Sequence, residues 1–118
     1  MNIEEYRDFC LSLKGAEESM PFNDKALVFS VCGKMFSLTN NIDTFDRINV
    51  KCDPEEAVEL RERFNSVIPG FHMNKKYWNT IIMDHSISDE QIKAWIVNSY
   101  QIIVSQLPKR KRDELEKA

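Results

Sequence analysis

The chain has 118 residues, 42% of them hydrophobic and 30% charged, with a net charge of −3. That length holds one domain with a real core and leaves no room for two, and the composition is globular rather than disordered. No apolar run approaches the ~20 residues of a membrane span, the opening Asn-Ile-Glu-Glu-Tyr-Arg-Asp is no signal peptide, and the acidic balance argues against strong non-specific nucleic-acid binding.

Ile3, Tyr6, Phe9, Cys10 and Leu13 repeat at helical spacing and predict a first amphipathic helix. Asn2 can cap it with Glu5 in the capping-box position, and Gly15 stands just past its end. The acidic, proline-containing segment Ala16 to Asp24 reads as a loop. Ala26 to Cys32 is rich in strand formers, with Leu27, Phe29 and Val31 on one face. Gly33-Lys34 supplies a tight turn into Met35 to Thr39, which pairs back as a hairpin. After a polar turn at Asn40 to Thr44, Arg47 to Lys51 alternates strictly. Ile48 and Val50 face inward, and Arg47, Asn49 and Lys51 face a wet side of the sheet.

Asp53-Pro54-Glu55-Glu56 is a strong helix start: an N-cap carboxylate, a proline in the first turn and acids at the positive dipole end. Ala57, Leu60 and Phe64 mark its buried stripe. Pro69-Gly70 suits a type II turn. Phe71 to Met73 and Trp78 to Met83 then read as two strands joined by Asn74-Lys75-Lys76-Tyr77, with Trp78 assigned mainly to the core. Ser88, with Gln91 three residues on, caps a long helix whose inner side carries Ile92, Trp95, Ile96, Ser99 and Ile103. Pro108 breaks that helix. The tail, residues 109–118, is expected to be flexible or a short helix with too little apolar surface to dock firmly. The order predicts a single α+β domain over residues 1–118, a two-layer sandwich with helices on one face of an antiparallel sheet.

Cys10, Cys32 and Cys52 are an odd set without close pairing and read as free thiols of a reducing, cytoplasmic compartment. Charge is distributed unevenly. Residues 1–24 hold two basic against six acidic side chains, and residues 52–65 two against five. Residues 25–51 hold four against two, and within residues 66–83 only Lys75 and Lys76 are charged. The predicted strands are therefore basic while two of the helices are acidic.

With the motifs Gly33-Lys34-Met35-Phe36, Asn49-Val50-Lys51-Cys52-Asp53-Pro54 and Pro69-Gly70-Phe71-His72-Met73-Asn74-Lys75-Lys76-Tyr77-Trp78-Asn79-Thr80, and with Leu107-Pro108, the chain resembles the MmcQ/YjbR family over nearly its whole length. The resemblance implies a compact α-β(3)-α-β(2)-α domain, likened to the bacterial frataxin CyaY and to secretion chaperones. It also implies DNA binding through a double wing of hairpins.

The residues allow three classes of function. Lys34, Lys51, Lys75 and Lys76 are expected to touch DNA phosphates, with Arg47, Asn74 and Tyr77 in support. Such contacts fix position without reading bases and make binding weak and salt-dependent. Asn74 and Asn79 can hydrogen-bond base edges, and Tyr77 can stack on an exposed base. Lysines at hairpin tips also serve simply to solvate turns and block edge pairing. The rival is a protein-binding adaptor or chaperone-like homodimer, with Met20, Met35, Met73 and Met83 on an adaptable surface. An enzyme is the least supported class. There is no Gly-rich phosphate loop and no His-Glu-x-x-His, and His72 and His85 have no cysteine near them in sequence. No cofactor and no metal are expected, although Glu4, Glu5, Asp8, Glu17 and Glu18 form an acidic set of the kind a frataxin-like iron ridge would use.

Overall fold

The computed structural model describes residues 1–118. The chain runs α1 (Ile3–Ser12), β1 (Ala16–Ser19), β2 (Leu27–Val31), β3 (Lys34–Thr39), β4 (Arg47–Lys51), α2 (Pro54–Arg63), β5 (Val67–Pro69), β6 (Trp78–Ile82), α3 (Asp89–Ser105) and α4 (Lys109–Lys117). Six strands form one antiparallel sheet in the order β1-β2-β3-β4-β6-β5. The fold is α+β, with the main helices gathered on one side of the sheet.

Local chemistry sets the helix ends. Asn2 and Glu5 form a reciprocal capping box at α1. Asp53 accepts from the Glu55 N–H ahead of α2, and Ser88 accepts from the Gln91 N–H ahead of α3. One contiguous core joins Tyr6 and Cys10 of α1, Ala57 and Leu60 of α2, and Ile92, Trp95, Ile96 and Ile103 of α3 to the strands. From the sheet it takes Leu27, Phe29, Val31, Ile48, Val50 and Ile81. The register of β2 against β3 shifts at Phe29/Ser30, which leaves Phe36 as an extra residue on β3. Phe36 and Ser37 consequently both turn to the helix layer. Phe36 meets Tyr100 edge-on at 5.4 Å, and the Ser37 hydroxyl lies 2.7 Å from that of Tyr6. This bulge re-aims the basic end of β3, which begins at Lys34.

The structure corrects several expectations. Ala16–Ser19 is an edge strand, not a loop. It pairs with Val28–Val31, and its exposed glutamates hide it from any apolar pattern. Phe71 to Met73 is not a strand. The fifth strand is Val67–Pro69, and residues 71–77 form a string of turns laid on the outer sheet face. Gly70 is not at positive φ, so the type II turn is absent. Glycine is required there for space, because a Cβ would lie 2.9 Å from the Trp78 carbonyl oxygen and from the Met73 Cβ. Asn49 does not meet water. It is fully buried, donating to Asn40 at 2.8 Å and accepting from the Thr80 hydroxyl at 2.5 Å. Trp78 is buried as expected, although on the outer face and outside the helix-side cluster.

The tail also differs. Residues 109–117 form α4, and Leu115 is buried where Gly15, at φ +75°, leaves room for it. Burying one leucine contributes about 1.5–3 kcal/mol. That offsets an unfavourable first turn, where Lys109, Arg110, Lys111 and Arg112 face the positive end of the helix dipole with no acid among them.

Candidate functional site

The β3–β4 ladder ends early. Ser37 pairs with Val50, and one step further Phe36 and Lys51 would pair in turn. Instead the Ser99 hydroxyl of α3 enters between them, accepting from the Lys51 N–H at 2.8 Å and donating to the Phe36 carbonyl at 2.6 Å. A 390 Å³ cleft lies at this end of the sheet, lined by Lys34, Met35, Lys51, Trp78, Ile103 and Gln106. Lys51 Nζ donates to Gln106 Oε1 at 3.1 Å.

Tyr77 stands beside this cleft, 38% exposed. The ammonium of Lys51 lies 5.8 Å from its ring centroid and that of Lys76 lies 5.5 Å away. Each is a cation–π contact at the outer limit of such interactions. The ring thus gathers two cations from separate segments. The Lys34, Lys51, Lys75 and Lys76 ammonium groups have no carboxylate within 4.0 Å. The sign of this corner is therefore uncompensated at short range, in a chain that is acidic overall.

The turn carrying Lys75 and Lys76 is held from behind. Arg61 of α2 donates through Nε to Asn79 Oδ1 at 2.6 Å and through Nη2 to the carbonyls of Lys75 and Trp78. Asn79 in turn donates to the Ala57 carbonyl at 3.2 Å. It is 1% exposed and lies on the helix face of β6, so it does not reach a base edge as expected. Asn74 accepts from the Lys76 N–H at 3.0 Å, which makes its side chain a turn former. Arg47 sits at the other end of β4. Its guanidinium lies 4.6 Å from the Phe71 ring centroid and 4.0 Å from the Asp46 carboxylate. The structure thus brings together Lys34, Lys51, Lys76 and Tyr77, keeps Lys75 exposed on the adjoining turn, and holds Arg47 apart.

Sequence reasoning missed one contribution. Lys109 to Arg112 follow Gln106 by three residues, so this basic run starts from the same corner of the molecule. Arg110 pairs with Glu114 at 3.7 Å, while Lys109 and Lys111 are exposed and unpaired. The signal was the unbroken Lys-Arg-Lys-Arg itself. Of the acids of α1 and β1, Glu18 is taken by Arg7 at 2.6 Å, and no three His, Cys, Asp or Glu side chains of the chain stand together. No helix is long and apolar enough to cross a membrane.

The family model YjbR matches residues 11–102. The chain belongs to the YjbR family. It is 34% identical over 112 residues to the uncharacterised protein YjbR of Escherichia coli K12, with 95% of each chain covered. It is 32% identical over 107 residues to the uncharacterised protein YbdF of Escherichia coli O157:H7, covering 91% of this chain and 88% of that one. The crystal structure of Deinococcus radiodurans DR2400, a DUF419 domain, superposes with a TM-score of 0.90 at 33% identity, over 98% of this chain and 88% of the other. A Pseudomonas syringae protein shares the fold with a TM-score of 0.75 at 22% identity, over 86% and 98%. The bulged, helix-backed sheet that carries the lysines is therefore a YjbR-family fold.

Proposed function

We propose that the protein binds DNA without acting on it chemically, using Lys34, Lys51, Lys75 and Lys76 as phosphate contacts. One observation carries the reading: three of these four converge on the cleft and the Tyr77 ring with no carboxylate in reach. Ammonium groups held on turns and strand ends attract phosphate as point charges and carry no base preference. Arg61 supports the reading from behind, because it pins the backbone that presents Lys75 and Lys76. The basic first turn of α4 begins three residues after Gln106 of the cleft and adds positive charge to that end of the chain. Polarisation titration of a labelled duplex at low salt tests it. Saturable binding that Lys75→Glu/Lys76→Glu abolishes supports the reading, and a flat titration by the parent protein removes it.

A specific observation favours a second reading, a protein partner or a second copy of this chain. Five large apolar side chains are left exposed: Met20, Phe22, Val58, Phe71 and Tyr77. A 260 Å³ groove takes Phe22 as one wall, with Met35, Leu38 and Met73 beside it. Exposed apolar clusters of this kind mark interfaces. Met83 does not contribute, being packed against the core. Sedimentation equilibrium separates the two readings: a dimer broken by Phe22→Asp favours the partner, and a monomer that binds duplex favours DNA.

A further inference from the structure

The cleft at the open end of β3 and β4 is more than a gap between lysines. The geometry points to a receptor for one unpaired nucleotide of a single strand, its base in the cleft and its phosphate on the lysine rim. This deepens the DNA-binding reading and rests on it.

Where Ser99 takes the place of the Phe36–Lys51 ladder bond, Ile103 of α3 and Gln106 just past its end contribute to a cleft whose other walls are sheet residues. At 390 Å³ it falls in the roughly 300–1,000 Å³ range of small-ligand sites. Met35, Trp78 and Ile103 give it apolar and aromatic walls. Gln106 gives Oε1 to Lys51 and keeps its amide N–H groups available for the edge of a base. Lys34 and Lys51 line the same cleft, and the Lys76 ammonium lies 5.5 Å from the ring of Tyr77, which Lys51 also approaches.

An apolar slot edged by ammonium groups and holding one amide matches a planar heterocycle joined to a phosphate. Simple phosphate contacts on a duplex need no such slot. A base paired and stacked in a duplex reaches it only by flipping out, a cost that a single strand does not bear. A lone strand therefore gains the cleft in addition to the rim, and a duplex gains the rim alone.

The test uses the full chain carrying Trp95→Phe, which leaves Trp78 as the sole tryptophan. The probes are a labelled twelve-nucleotide thymidine strand, the same strand annealed to its complement, and thymidine monophosphate. The expected result is polarisation binding of the single strand roughly tenfold tighter than the duplex, the gain of about one stacked base. The strand should change Trp78 emission and the duplex should not. Gln106→Phe, which fills the cleft, should weaken the strand more than the duplex. Met35→Phe, from a different wall, repeats the test if Gln106→Phe fails to fold. Equal affinities with silent Trp78 emission would overturn the cleft assignment and leave the phosphate reading standing. Binding of neither DNA would overturn both. An equal emission change from thymidine monophosphate at the same concentration would overturn the strand in favour of a free nucleotide.

Discussion

Lys51 and Phe36 occupy partner positions on neighbouring strands and yet do not bond to each other; the hydroxyl of Ser99 stands between them, 2.8 Å from one and 2.6 Å from the other. One helix side chain thus stands in for a rung of the sheet at the place where the candidate site opens. Removing the hydroxyl leaves a donor and an acceptor without their partner. Ser99→Ala is expected to lower stability by about 1–3 kcal/mol, the cost of stranded polar groups. Urea denaturation measures it, and a change near zero would show that the strands close the gap unaided.

Arg61 is expected to matter for binding through the turn it holds. Its fork joins Asn79 to the Lys75 and Trp78 carbonyls, a geometry that a lysine cannot copy. Arg61→Lys should raise amide-exchange rates across residues 71–77 and weaken DNA binding several-fold. Exchange confined to its parent rates would break that link.

The docking of α4 centres on Leu115 against Gly15, with Lys14 Nζ donating to the Glu116 carbonyl at 2.8 Å beside it. A Cβ on Gly15 would lie 2.5 Å from Leu115 Cδ1, on a residue already at φ +75°. Gly15→Ala is expected to cost about 1–3 kcal/mol, and to free α4, because a side chain at positive φ adds strain to the clash. Leu115→Ala should free the helix with a smaller global loss. Loss of helical signal from residues 109–117 by NMR checks both.

Asp84 is held by the hydroxyls of Ser86 and Ser66, at 2.6 and 2.7 Å, and by the Ser86 N–H. These bonds favour the carboxylate and lower its pKa to about 2, below the usual value near 4. A group depressed on folding contributes stability above its unfolded pKa, and that contribution is lost as pH falls from about 4 through 2. A carbon-detected NMR titration of Asp84 should show the low midpoint, and Ser86→Ala should move it upward.

The thiols should react unequally. Cys10 and Cys52 are buried, and burial pushes both thiols up, Cys52 to about 11. Cys32 is half-exposed in the turn before β3. At pH 8 a thiol reagent should label one cysteine rapidly and the other two only on unfolding, since reactivity follows thiolate and access. Mass spectrometry of the labelled peptide should place that label on Cys32.

The parts legible in the sequence were those with a period. The stripe Ile92, Trp95, Ile96, Ser99 and Ile103 is the buried side of α3 residue for residue, and the caps at Asn2, Asp53 and Ser88 all form. β1 was hidden because an edge strand of glutamates carries no apolar alternation. The segment 71–77 looked like a strand from Phe71 and Met73, but its hydrogen bonds go elsewhere. Phe71 N–H donates to the Thr80 hydroxyl, and His72 lies at φ +58°. At the site the cations were legible and their convergence was not, since it depends on a serine from α3 and a tyrosine ring between two lysines. Asn79 illustrates the converse. An asparagine in a strand reads the same whether it faces solvent or a half-buried arginine.

The central claim is that an acidic chain carries one locally cationic corner that neutralises phosphate, and the salt dependence of duplex affinity tests it most directly. With about four phosphates neutralised, log Kd against log salt should have a slope of magnitude roughly 3 to 4. Lys34→Gln/Lys51→Gln should reduce that magnitude by about 2, at ~0.9 per contact. Absence of binding at low salt, or a slope untouched by removing both lysines, would contradict the account.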